Sequence, residues 1–151
     1  MKALLTIAAV LLLTSCSSTK KYDFQAPESS KKPVTMWPTW IKDKTKKKKF
    51  DGRINLRNNS EEFVIVRFGD VRCKKGDTYG ILRYVFFNAG EKIIDLQPSE
   101  VKSFNTVCKL NKKVEGTFSY ELKRVYSNPS NDGKTTGKMI QKKTIWTSEK
   151  M

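Results

Sequence analysis

The spacing of apolar side chains changes twice along this chain, and the changes divide it into three parts. Ala3 to Leu13 is an uncharged, mostly apolar run of eleven residues behind Lys2. From Ser17 to Phe50 the chain is polar, in the stretches SSTKKYDFQAPESSKKPV and DKTKKKK, with one apolar interruption at Met36-Trp37-Pro38-Thr39-Trp40-Ile41. Beyond Phe50 the apolar residues return in short runs of two-residue period separated by turn formers, the pattern of half-buried β-strands. The predicted strands are Arg53 to Arg57, Glu62 to Phe68, Gly80 to Phe87, Lys92 to Leu96, Val101 to Leu110, Gly116 to Tyr126 and Lys138 to Thr147. Turns fall at Asn58-Asn59-Ser60, at Gly69-Asp70 and Lys74-Lys75-Gly76-Asp77 on either side of Cys73, at Asn88-Ala89-Gly90, and at Asn128 to Gly133. In the fifth run Phe104, Thr106, Cys108 and Leu110 share a face. In the sixth, Phe118, Tyr120 and Leu122 face one way, and Ser119, Glu121 and Lys123 face the other. No stretch of ten or more residues has helical spacing.

Seven short strands in about 100 residues predict an all-β fold, a small antiparallel β-sandwich, with a small β-barrel as the second choice. The segment LRNNSEEFVIV, followed later by IIDLQPSEVKSF, resembles immunoglobulin-like bacterial export domains, which pair an Asn-Asn-Ser turn with an L-x-P-x-E/D approach to a mid-domain strand. The resemblance implies an immunoglobulin-like sandwich. The Cys-Trp-Cys core of antibody domains is absent, since no Trp lies between Cys73 and Cys108.

The first run has the anatomy of a secretory signal peptide: a positive start, a short apolar stretch, then small residues. Eleven apolar residues are too few for a transmembrane helix, which needs roughly 20. The run ends in Leu13-Thr14-Ser15-Cys16, which resembles the lipobox of bacterial lipoproteins. That resemblance implies cleavage before Cys16 and lipidation of its sulfur with acyl chains such as palmitate. Two or three chains hold a protein far more firmly than one, at about 0.8 kcal/mol per buried CH2. It also implies an address: Ser17 after the cysteine favours the outer membrane, with another bacterial membrane as the alternative. The expected organisation is therefore a signal peptide over 1–15, a lipid-anchored, disordered Lys-rich linker over 16–50, and a β-sandwich domain over 51–151.

Charge sharpens the picture of the linker. The chain has 30 Lys and Arg against 15 Asp and Glu, a net charge of +15. Only six of the basic residues are Arg, and Lys, a hydrated point charge, suits diffuse attraction rather than bidentate recognition. Between Ser17 and Phe50 stand ten Lys against Asp23, Glu28 and Asp43. Self-repulsion and prolines extend such a segment to about 30 Å r.m.s. and at most about 115 Å, which would let the domain stand clear of a membrane. Lys44, Lys46, Lys47, Lys48 and Lys49 are the candidate residues for an anionic surface: lipid headgroups, wall polymers or acidic envelope proteins. Nucleic acid is not an expected partner, because no motif for it occurs and an exported chain does not meet it. Met36 to Ile41 has two readings, an aromatic contact with membrane or partner, and a lead-in strand packed on the domain. The cost of exposing two Trp favours the strand.

The chain contains no His, which removes Ser-His-Asp and Cys-His catalysis and most zinc sites. With Cys16 lipidated, Cys73 and Cys108 are the remaining thiols, and in an exported domain two thiols without a Cys-x-x-Cys motif predict a structural disulfide. It would close a loop of about 36 residues, worth about 3.8 kcal/mol in the chain-entropy model. Asn128 to Gly133 lacks the alternating acidic ligands of a calcium loop and reads as a turn. Glu61, Glu62 and Asp95 read as solvated carboxylates rather than an acid/base pair. Tyr84, Phe86, Phe87, Phe104, Phe118 and Tyr120 read as core rather than as a ligand platform. These features predict a non-catalytic binding or structural module without a metal or cofactor, with an envelope assembly component as the alternative and an enzyme as the remote one.

Overall fold

The computed structural model describes residues 19–28, 30–44, 48–85, 93–132 and 136–149. The elements in order are β1 (Lys20–Asp23), β2 (Val34–Lys44), β3 (Lys49–Asn58), β4 (Val64–Arg67), a 3-10 turn (Phe68–Asp70), β5 (Val71–Lys75), β6 (Thr78–Tyr79), β7 (Ile81–Tyr84), β8 (Ile93–Leu96), β9 (Val101–Lys109), β10 (Phe118–Leu122), β11 (Val125–Ser127), β12 (Met139–Gln141) and β13 (Thr144–Thr147). They form three antiparallel sheets, of order β1-β2-β3-β9-β7, β13-β10-β5-β6 and β12-β11-β4-β8. None closes, so the all-β sandwich expectation holds and the barrel does not.

The two four-stranded sheets follow one chain path. β4 runs through the 3-10 turn into β5, β10 leads into β11, and β12 leads into β13. The break falls at one level: Lys123 N donates to Asp70 O at 2.7 Å, and Arg124 Nε and Nη2 both reach Asp70 Oδ1 at 2.9 Å. Together these sheets face the five-stranded sheet across a single core, in which Ile41, Phe50, Ile54, Leu56 and Phe104 meet Val64, Val66, Val71, Phe118, Tyr120 and Leu122. Phe118 stacks on Phe50 at 4.6 Å and meets Tyr120 edge-on at 5.1 Å. These aromatics, with Tyr84 packed at the core's margin, are core as expected, while Phe86 and Phe87 lie outside the described residues.

The N-terminal part differs from the expected linker. Residues 34–44 form β2, paired along nearly all of β3, with Val34, Met36, Trp37 and Ile41 buried, and β1 adds a further strand from Lys20. The lead-in strand is the correct reading of Met36 to Ile41, and the sheet begins well before residue 50. Charge density over the whole stretch masked this, because charged residues such as Lys42 occupy the outer positions of a strand whose inner positions are apolar. Pro38 lacks an N–H and cannot complete the ladder, and the register slips between Pro38 and Trp40. Asn55 Nδ2 covers the slip, donating to Trp37 O at 3.3 Å and Thr39 Oγ1 at 2.8 Å.

Three strand predictions also change, the first being the Gly116 to Tyr126 run, which divides into β10 and β11. The Lys138 to Thr147 run divides into β12 and β13, and the stretch around Cys73, expected as loops, is strand β5. Cys73 on β5 and Cys108 on β9 are bonded, with Cα atoms 6.1 Å apart, so the bridge joins the two layers. Gly80, between β6 and β7, lies against it: a Cβ there would sit 2.6 Å from Cys108 Sγ and 3.1 Å from Cys73 Sγ.

Candidate anionic-surface site

The five-stranded sheet brings several of its lysines to one end by register. Lys20 pairs with Asp43, Lys44 with Lys49, Lys49 with Lys109, and Lys109 with Ile81, so β1, β2, β3, β9 and β7 all reach that end. Lys48 takes a positive φ of 53° in the β2–β3 turn. Its carbonyl accepts from Leu110 N at 2.8 Å and its Nζ donates to Asn111 O at 3.3 Å. This fastens the turn to the stretch in which Lys112 and Lys113 are exposed. From the facing layer, Lys75 Nζ lies 3.8 Å from Asp43 and 5.0 Å from the Phe50 ring centre.

Asp51 sits among these lysines, with Lys44 Nζ at 2.6 Å and Lys49 Nζ at 3.2 Å. Burial pushes its carboxyl up, but the two ammonium groups outweigh burial and hold it below its ordinary value. Asp51 therefore stays ionised and offsets part of the charge of Lys44 and Lys49. Of the five lysines singled out in the sequence, Lys44, Lys48 and Lys49 stand on or beside this hairpin rather than on a free tether. Lys46 and Lys47 lie outside the described residues, as does Cys16. The fold adds Lys20 and the group Lys109, Lys112 and Lys113, which come from two other parts of the chain. No local signal marks them as neighbours; only the strand register does.

The opposite end carries the exposed Glu61 and Glu62. They line a cleft of about 420 Å³ with Phe63, Ser127, Asn128 and Asn131. Asp95 does not line it; it stands on β8, held by Lys102 Nζ at 3.0 Å. Among the described residues no group of three or more His, Cys, Asp or Glu is placed to hold a metal ion. A second cleft, of about 360 Å³, opens between the edge strands β1 and β13, where Phe24 meets Trp146 edge-on at 4.8 Å. Among the described residues no helix is long and apolar enough to cross a membrane.

The turn and the approach that carry the immunoglobulin-like resemblance are joined through one side chain. Asn58, fully buried, donates from Nδ2 to Glu62 O at 2.8 Å, Gln97 O at 3.0 Å and Leu96 O at 3.2 Å, and accepts from Ser60 N at 2.9 Å.

No family model matches the chain, and no curated protein matches it. Among solved structures, the crystal structure of a FixG-related protein from Vibrio parahaemolyticus aligns with a TM-score of 0.35 and 10% identity, over 78% of this chain and 97% of that one. A likeness at that level carries no conclusion about this chain.

Proposed function

We propose that this chain is a lipid-anchored, non-catalytic binding module of the bacterial envelope, whose lysine-rich end takes anionic partners. The observation that carries the reading is the gathering of Lys20, Lys48, Lys49, Lys109, Lys112 and Lys113 at one end of the sandwich. Leu13-Thr14-Ser15-Cys16 supplies the anchor, with the covalent lipid on Cys16 and no other cofactor. Ser17 supports an outer-membrane address, with the domain facing the periplasm or the cell surface. Anionic lipids, wall polymers and acidic envelope proteins share the chemistry this end would meet.

A second reading, an accessory component of a larger envelope assembly, draws on the outermost strands β1 and β7 of the five-stranded sheet and on Ile81, 63% exposed on β7. Open edges offer backbone groups for pairing with another chain. Crosslinking followed by co-purification separates the two: a stoichiometric protein partner would favour assembly.

The anchor is tested by Cys16→Ser. The variant should leave uncleaved precursor or released protein, whereas the native chain should require detergent for extraction. Unchanged detergent dependence in the variant would remove the anchor from the reading.

A further inference from the structure

We infer that the domain docks end-on against an anionic lipid bilayer, with the β2–β3 turn end against the headgroups; this rests on the lipid-anchor reading and deepens it. The first ground is the position of β1. It begins at Lys20, four residues after Cys16, and four residues reach at most about 14 Å. The expected long tether is thus taken up in β1 and β2, and acyl chains on Cys16 would hold the domain close to the bilayer. The second ground is where that short connection arrives. Lys20 pairs with Asp43 at the same end of the sheet as Lys48, Lys49 and Lys109. The anchor and the lysines therefore share one end.

Charge falls off along the strand axis. Val101 lies at the other end of β9, about 27 Å from Lys109 along the strand, near Glu61, Glu62 and Glu100. With a Debye length near 8 Å at physiological salt, lysines at that distance are screened from a surface touched by the β2–β3 turn. Ile81 supplies the apolar contact. It pairs with Lys109 and is 63% exposed, so it would sit at the headgroup boundary beside the ammonium groups. An acyl anchor combined with a basic patch is the two-signal arrangement that makes membrane attachment durable.

The test is an amine-labelling footprint of the full lipidated chain, read by mass spectrometry. One sample sits in vesicles of phosphatidylethanolamine with phosphatidylglycerol, the other in vesicles of phosphatidylcholine alone. Lys48, Lys49, Lys109 and Lys112 should label several-fold more slowly in the anionic vesicles, and raised salt should restore their rates. Lys31 and Lys138, at the far end, should label equally in both. Equal rates for the near-end lysines in both vesicles, or protection shared by the far end, would overturn end-on docking while leaving the anchor intact. A chain that fails to sediment with either vesicle would overturn the anchor reading and this inference with it.

Discussion

Single residues settle much of the sandwich's stability, and four of them carry measurable expectations. Asn58 shares its two amide protons among Glu62, Leu96 and Gln97 carbonyls in a fully buried corner. Asn58→Asp would turn an oxygen toward three carbonyl oxygens, and should cost about 2–3 kcal/mol in urea unfolding. Gly80→Ala would place a Cβ within 2.6 Å of Cys108 Sγ, and should destabilise by about 1–3 kcal/mol through forced repacking. The half-buried Asp51 and the buried Glu121 set the acid response. Burial raises the pKa of both Asp51 and Glu121, yet Lys44 and Lys49 at the first, and Lys143 and Tyr79 at the second, bring each below its ordinary value. Both groups therefore hold protons less tightly folded than unfolded. Their contribution is present above the ordinary values of 3.8 and 4.5, and is lost as pH falls through them toward the folded values. The urea midpoint should drop over that acid range, and Asp51→Asn with Glu121→Gln should flatten the drop.

Between elements, the strongest tie is the Cys73–Cys108 bridge from β5 to β9. Reduction should lower unfolding free energy by about 2–4 kcal/mol, measured as a shift in denaturant midpoint with and without reductant. Its pairing was legible, since the chain has no other thiols once Cys16 is set aside. β9 was legible too: its alternation marked Phe104, Thr106, Cys108 and Leu110, and all four are buried. β10 was legible on one face only. Its polar residues Ser119 and Glu121 were expected outside, but they are 4% and 2% exposed. Neighbouring strands cover them, with Thr147 Oγ1 3.3 Å from Ser119 Oγ and Tyr79 donating to Glu121 at 3.0 Å. Alternation says which face is more apolar, not whether a side chain from another strand closes over the other. Gln141 shows the same limit. Its amide accepts from Val34 N at 2.7 Å and donates to Val34 O at 2.9 Å, standing in for a strand partner across 107 residues.

At the scale of the molecule, charge is sorted along the strand axis. A lysine close to an anionic bilayer is worth about 1 kcal/mol. Replacing Lys48, Lys49 and Lys109 together by Gln should therefore weaken binding of the unlipidated chain from Ser17 onward to anionic vesicles at low salt by roughly ten- to a hundredfold. Replacing Lys31, Lys32 and Lys138 should change it little. Equal losses from the two sets, measured by vesicle sedimentation, would mean that the whole protein's field matters rather than one end. The density of lysine between Lys42 and Lys49 pointed to this end from the sequence, but it pointed to a tether. Nothing in the sequence placed Lys20 or the Lys109 to Lys113 group beside that hairpin, because they meet it only through the pairings of β1 with β2 and of β3 with β9 and through the bonds from Lys48 to Leu110 and Asn111.

The sequence by itself determined what is local: the two-residue period that makes strands, the turn residues that end them, and the two cysteines available to bond. Each follows from the steric and hydrogen-bonding preferences of a few adjacent residues. Only the tertiary structure decided that the strand read at Met36 to Ile41 runs over all of 34–44 and is joined by β1, that the outer face of β10 is covered, and that the lysines gather at the end where β1 begins. Those outcomes depend on which strand lies beside which and in what register. That choice is made by burying apolar surface shared among distant segments, and no single segment records it.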